Sequence, residues 1–229
     1  MFMLKPFGPD IWMSDGPTVS VAGFHYPTRM AVIRLTDGGL FIWSPTQLTP
    51  ELAAAVNQLG PVHHIVAPNH LHHLSLGQWA DAYPDAALHA APKLAEKRAD
   101  LRFDDTLSET GPWHADIDQV IVPGNAITTE VVFFHKASKT VLFTDLIQQF
   151  PPGFHTGWRG IVARLDLMTG DAPQVPRKFR LAFRNRKAAK AALAQILAWP
   201  ADQVIMAHGQ PVTSDGQACL KHAFRWLMG

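Results

Sequence analysis

Cysteine is almost missing from this chain: Cys219 is the single one in 229 residues. No intrachain disulfide can form, and a metal cluster held by thiolates is excluded. Net charge is lacking as well. Lys and Arg together number 20 against 19 acidic residues, a formal charge of +1, so no global field steers nucleic acid or an anionic membrane toward the protein. Long apolar runs are absent too. Met1 to Pro9 does not contain the basic segment followed by an apolar stretch that a signal peptide needs, and no later run approaches membrane-spanning length. The expectation is a cytoplasmic protein with neither a membrane nor a nucleic-acid partner. No repeat of fixed period and no linker-like shift in composition interrupts the chain, which predicts one domain over residues 1–229. Apolar residues make up 47% of it, enough to build a sizeable core rather than a disordered chain.

The apolar residues fall into short runs. Thr18–Gly23, Met30–Thr36 and Leu40–Ser44 read as strands, with a hairpin turn at Asp37-Gly38-Gly39 between the last two. Thr49-Pro50-Glu51 supplies an N-cap, a proline at the first helical position and an acid in the first turn, and Gly60-Pro61 stops that helix. Val62–Pro68 is the next strand and Leu76–Tyr83 the next helix. Strands return at Gln119–Val122, Glu130–His135 and Thr140–Thr144, the last two joined by a turn at 136–139. Asn185 caps a helix running to Trp199, Gln203–Ala207 is a strand, and Ser214 opens a closing helix to Leu227. Seven basic residues crowd positions 177–190: Arg177, Lys178, Arg180, Arg184, Arg186, Lys187 and Lys190. In a chain of balanced charge they read as a solvated loop and helix face, the alternative being a docking surface for an anionic partner or substrate tail.

Three of the strands run into residues that can bind a metal. Val62–Pro68 leads to Asn69, His70, His72 and His73, Thr140–Thr144 to Asp145, and Gln203–Ala207 to His208. Loops beyond the carboxyl ends of strands are where α/β folds gather ligands from distant parts of the sequence. Imidazole and carboxylate suit zinc, iron and manganese. His25, His63, His64, His89, His155 and His222 stand alone and read as hydrogen-bonded side chains rather than ligands. Three imidazoles within four positions of one loop have no such packing reason.

A strand entering a histidine-rich loop, the turn Pro123-Gly124, a hairpin ending Leu142-Phe143-Thr144-Asp145 and a late Val204-Ile205-Met206-Ala207-His208-Gly209 together resemble the metallo-β-lactamase superfamily over nearly the whole chain. The resemblance implies an α/β fold, an αββα four-layer sandwich of two mixed sheets with helices on the outer faces. It implies metal ligands at His70, His72, His73, Asp145 and His208. The superfamily's His-x-His-x-Asp-His loop, laid on His70 and His72, puts Leu74 at the aspartate and Ser75 at the last histidine, and Asn125 follows Pro123-Gly124 where a further histidine is expected. Glu130 and His135 are candidate substitutes, but strand alternation sends them to opposite faces, so at most one serves. Asn69 is a further candidate for the site, and His114 a weaker one. Asn69-x-x-His72-His73, Trp79, Arg98-x-Asp100-Leu101, Glu130-Val131-x-Phe133-x-His135 and Ser138-x-Thr140-x-x-x-Thr144-Asp145 resemble a metallo-β-lactamase-like subfamily classed as a domain of unknown function, in which the His72-His73 pair is the more characteristic.

The expected function is that of a metal-dependent hydrolase with one zinc, or iron, and a metal-activated water. Asp145 is its candidate catalytic residue, as ligand or base, and a small-molecule ester, lactone, thioester or phosphodiester its substrate. The alternative is a non-catalytic protein of the same fold that binds a small molecule or partner after losing metal ligands.

Overall fold

Residues 4–229 are described, in a computed structural model. The described chain opens with two hairpins. The first pairs β1 (Lys5–Gly8) with β2 (Ile11–Asp15), and the second pairs β3 (Val19–Val21) with β4 (Phe24–Tyr26) as a small sheet of its own. β5 (Arg29–Arg34) and β6 (Leu40–Trp43) follow, then α1 (Pro50–Asn57), β7 (Val62–Ala67), α2 (Leu76–Ala82), β8 (Ala87–Ala90), α3 (Leu94–Lys97) and β9 (Asp105–Thr106). Seven of these strands form one sheet in the order β1-β2-β5-β6-β7-β8-β9, antiparallel as far as β6 and parallel beyond it. The second half contributes β10 (Ile117–Val122), β11 (Glu130–His135), β12 (Thr140–Phe143), α4 (Gly157–Leu165), α5 (Arg177–Ala182), α6 (Arg186–Ala198), β13 (Gln203–Met206) and α7 (Gly216–Met228). Its sheet has the order β10-β11-β12-β13, with only the last pair parallel.

Two-residue alternation divides the apolar runs between layers. In β6, Phe41 and Trp43 face the second sheet while Leu40 and Ile42 pack with Leu52 and Val56 of α1. In β11, Val131 and Phe133 face the first sheet, while Val132 and Phe134 join Leu193 of α6 and Phe224 of α7. Each sheet is therefore apolar on both sides, and the chain forms an αββα sandwich with one core between the sheets and one beneath each helical layer. The two mixed sheets and outer helices match the expected architecture.

Local signals account for several boundaries. The Thr49 side chain accepts from Leu52 N at 3.3 Å, and the Asn185 side chain accepts from Ala188 N at 3.1 Å, each satisfying a donor in its helix's first turn. Asp37 accepts from Gly39 N at 2.8 Å and Gly38 takes φ +87°, completing the hairpin turn between β5 and β6. The run 18–23 differs from the expectation of one strand. It holds β3 and a turn at Ala22-Gly23, where both residues have positive φ, and β4 returns alongside. Basic residues 177–190 also differ, because Phe179, 2% exposed, anchors a short helix in what reads as a loop. No helix among the described residues is long and apolar enough to cross a membrane.

One sheet edge collects the loops of interest. β12 and β13 are parallel, with Phe143 opposite Met206, so their next residues leave the sheet side by side. β11 runs the other way and places Glu130 at the same edge. Val131 N donates to Pro68 O at 2.8 Å, joining that edge to the loop that follows β7.

Away from this edge, His64 Nδ1 lies 3.1 Å from His89 Nε2, and Trp113 packs edge-on against both rings. Burial and the neighbouring His89 and His63 push the His64 pKa from 6.5 down to about 4. The unfolded chain thus takes up a proton before the folded one does, and the stability from neutral His64 is complete above pH 6.5 and lost as pH falls through about 4. Urea unfolding from pH 7 to 4 should therefore show the wild type losing more stability than His64→Gln. Parallel curves would contradict this account of His64.

Candidate metal centre

His72, Asp145 and His208 meet at the shared edge. Each offers one ligand atom, and the three atoms lie within 4.8 Å of one another. His72 Nε2 is 3.3 Å from Asp145 Oδ2, and His208 Nε2 is 3.4 Å from Asp145 Oδ1. All three side chains are buried or nearly so: His72 is 9% exposed, Asp145 8% and His208 6%.

Second partners orient each group. His72 Nδ1 is 2.8 Å from the hydroxyl of Ser44, a buried residue at the end of β6 held at φ +50°. His208 Nδ1 is 2.8 Å from the Pro27 carbonyl. A carbonyl can only accept, so Nδ1 donates to it and Nε2 is the atom turned toward Asp145. The Asn69 amide donates to Asp145 Oδ2 at 2.7 Å and to the Thr144 hydroxyl at 2.8 Å, while its carbonyl accepts from Leu71 N and His72 N. Asn69 thereby spaces the histidine loop from the aspartate.

Glu130 supports the aspartate from below. Its carboxylate accepts from Thr144 N at 2.7 Å, Asp145 N at 2.9 Å and Leu146 N at 3.0 Å. Burial and the Asp145 charge push the Glu130 pKa up to about 7 against the pull of those N–H groups. Burial also raises the Asp145 carboxyl, but His72 and His208 outweigh it and hold this group well below the usual carboxylate range. Burial lowers His72, against the attraction of Asp145. Two imidazole nitrogens and a carboxylate oxygen thus converge on one point, and this donor set suits a divalent ion.

The other residues singled out in the sequence go elsewhere. His70 Nδ1 is 3.4 Å from the Thr128 hydroxyl. His73 lies 3.3 Å from the Arg98 guanidinium, and burial with Lys97 and Arg98 nearby pushes its pKa down to about 4. Neither belongs to the three-residue cluster. His135 is a correction to the candidate substitutes: it stands at the other end of β11 from Glu130, opposite Thr140, with Nδ1 2.7 Å from Ser138 Oγ. Glu130 reaches the site but spends its oxygens on backbone donors. Asn125 is buried and occupied, donating to Phe179 O at 2.9 Å and accepting from Ile127 N at 3.0 Å. Leu74 is 69% exposed and Ser75 precedes α2, and neither is part of the cluster.

Ser44 and Arg29 were not singled out by the sequence. Arg29 donates to the carbonyls of Met206 (2.7 Å) and Gly209 and pairs with Asp15 at 2.8 Å, gripping the loop that carries His208. Its partners lie far along the chain, so no local signal marks it. Gly209, next in the loop, has φ +147°, and a Cβ there would stand 2.5 Å from Gln149 O, which explains why glycine follows the histidine.

The cluster forms the floor of a cavity of about 880 Å³. Phe24 and Tyr26 of β4 form one wall, Val162 and Leu165 of α4 another, and Met168 and Phe179 close it. The Tyr26 ring packs edge-on against His208, with centroids 5.3 Å apart.

A family model described as a domain of unknown function (DUF4336) matches residues 10–156. This chain belongs to that family. The matched segment of the DUF4336 chain carries His72 and Asp145 and ends before His208. No curated protein matches the sequence. Among solved structures the chain is similar to a metallo-β-lactamase from Pontibacter korlensis, with TM-score 0.66 and 16% identity over 100% of both chains. It is also similar to FIM-1 from Pseudomonas aeruginosa in the mono-zinc form, with TM-score 0.62 and 15% identity over 100% of this chain and 97% of that one. A third is the metal-soaked Flv1 flavodiiron core from Synechocystis sp. PCC6803, with TM-score 0.68 and 13% identity over 99% of this chain and 60% of that one. The fold of the DUF4336 chain is therefore that of the metallo-β-lactamases.

Replacing Glu130 by Gln puts an amide NH₂ against backbone donors and leaves at least one N–H unsatisfied. Glu130→Gln should lower the unfolding free energy by roughly 1–3 kcal/mol, measured by urea denaturation of chelator-treated protein. An unchanged midpoint would mean that the carboxylate does not hold this turn.

Proposed function

We propose that this chain is a metal-dependent hydrolase of a small-molecule substrate, holding one ion through His72, Asp145 and His208. The observation that carries the reading is the convergence of three ligand atoms within 4.8 Å at the floor of a cavity. Two imidazoles and a carboxylate match the ligand sets of hydrolytic zinc and of non-haem iron, and zinc is the first choice for hydrolysis. When bound, the ion would acidify a water and polarise a substrate's carbonyl or phosphoryl oxygen.

The protein's own groups supply orientation and proton transfer. Ser44 and the Pro27 carbonyl fix the two imidazoles with Nε2 toward the cluster. Asp145, kept ionised by its neighbours, serves as ligand or takes a proton from the attacking water. The largely apolar lining lowers the local dielectric and so strengthens charge interactions at the floor.

The same geometry supports one ion rather than two. Leucine cannot ligate, the Asn125 amide is already engaged, and Glu130 is used by backbone donors. The mono-zinc form of FIM-1 indicates that the fold is compatible with a single zinc. This departure from the full superfamily motif also argues against β-lactams as substrates.

Inductively coupled plasma mass spectrometry of protein purified without chelator should find one equivalent of metal, lost in His72→Ala, Asp145→Ala and His208→Ala but kept in His135→Ala. Two equivalents, or metal retained in the first three variants, would contradict the assignment. The metal-loaded protein should hydrolyse a member of an ester, lactone, thioester and phosphodiester panel but not a chromogenic cephalosporin, and chelation or Asp145→Ala should abolish that activity. Hydrolysis indifferent to both would overturn the proposed function.

A further inference from the structure

We infer that the cavity over His72, Asp145 and His208 takes the apolar chain of an acyl ester or thioester, of medium to long length. Ten large hydrophobic side chains are exposed among the described residues, and six of them, Val21, Leu71, Leu74, Ile127, Val162 and Leu165, line this one cavity. Their exposures run from 38% for Leu71 and Ile127 to 69% for Leu74. Isolated exposed hydrophobics are ordinary, but a concentration of them around one concave space marks a binding surface. They come from four separate parts of the chain: the β3–β4 hairpin, the loop after β7, the loop before β11, and α4.

The ionisable groups narrow the occupant further. Besides the histidines and Tyr26, the ionisable residues lining the cavity are Lys97, Asp145, Asp166 and Lys178. Asp166 is paired with Lys178 at 3.4 Å, and Asp145 lies on the floor between two imidazoles. Asp166 is countered by Lys178, and Lys97 is left to attract the acid released by hydrolysis. By area the lining is mostly apolar, which suits a hydrocarbon chain better than a polyanion or a sugar. A bilayer or a folded partner could cover the mouth but could not reach the floor. At about 880 Å³ the space falls near the top of the roughly 300–1,000 Å³ common for small-molecule sites, enough for a chain as well as a head group.

The reaction arm of this inference rests on the hydrolase reading, while the binding arm does not. In hydrolysis the acyl carbon gains the oxygen of water and loses its bond to the alcohol oxygen or thiol sulfur. That atom leaves with the bonding pair and takes a proton, and nothing is oxidised or reduced.

The test uses n-alkyl carboxylates from butyrate to dodecanoate, kept below their micelle concentrations, titrated calorimetrically into the protein as purified. p-Nitrophenyl esters of the same acids are assayed in parallel. Affinity should rise about fourfold for each added methylene until the cavity is filled, and Leu165→Asp and Val21→Asp, both at exposed positions that tolerate a charge, should flatten that dependence. Affinity independent of chain length, or a dependence unaltered in both variants, would overturn the inference. So would binding to phosphatidylglycerol vesicles with none to the monomeric acids. Chain-length-dependent binding without ester turnover would leave the acyl site standing and remove the hydrolase. Turnover and binding both blind to chain length would do the reverse.

Discussion

The carboxylate of Glu130 accepts three consecutive backbone N–H groups, and the geometry of the centre depends on that contact. Where β12 ends, the chain turns away from its ladder, and the N–H groups of Thr144, Asp145 and Leu146 are buried with no strand to receive them. Buried donors left unpaired are costly, so the turn needs an acceptor with several lone pairs. Glu130 supplies it from the start of the antiparallel neighbour. Burying that charge is unfavourable, as its pKa near 7 records, and the three N–H groups offset much of the cost. With the turn fixed, Asp145 faces inward and Asn69 can bridge it to the backbone of His72. A continuous chain of hydrogen bonds thus runs from the second sheet to the histidine loop of the first.

Parallel pairing of β12 and β13 makes the second half of the arrangement possible. Because Phe143 and Met206 are partners, Asp145 and His208 leave adjacent strands two residues later at the same height. Arg29 then fastens the His208 loop to the first sheet through carbonyls on both sides of it. The cluster therefore draws on both sheets, which are joined by an apolar core that includes Phe41, Trp43 and Phe133.

Much of this was legible in the sequence, for physical reasons. β11 and β12 are buried on both faces and read as short β-rich apolar runs, while α1 and α6 announce themselves through Thr49 and Asn185. β4 was not legible because Phe24–Tyr26 is too short for its alternation to stand out, and α4 begins at a glycine with no side-chain cap. Those two elements build the cavity walls, so the sequence marked the floor of the site better than its sides. At the floor, strand ends single out Asp145 and His208, but nothing local separates His70, His72 and His73. The separation comes from Ser44 at the end of β6 and from Asn69, which direct the His72 ring to Asp145, while Thr128 and Arg98 engage the other two. His135 and Glu130 were separable in face but not in distance, because only the pairing of β11 with β12 shows which end of the strand lies at the centre.

The central claim is that one ion sits among His72, Asp145 and His208. Anomalous diffraction at the absorption edge of the metal found in the purified protein tests this most directly. The account predicts a single peak about 2.0–2.2 Å from His72 Nε2, His208 Nε2 and an Asp145 oxygen. A second peak of comparable height, or a peak bound by His70 or His73 instead of His72, would contradict it.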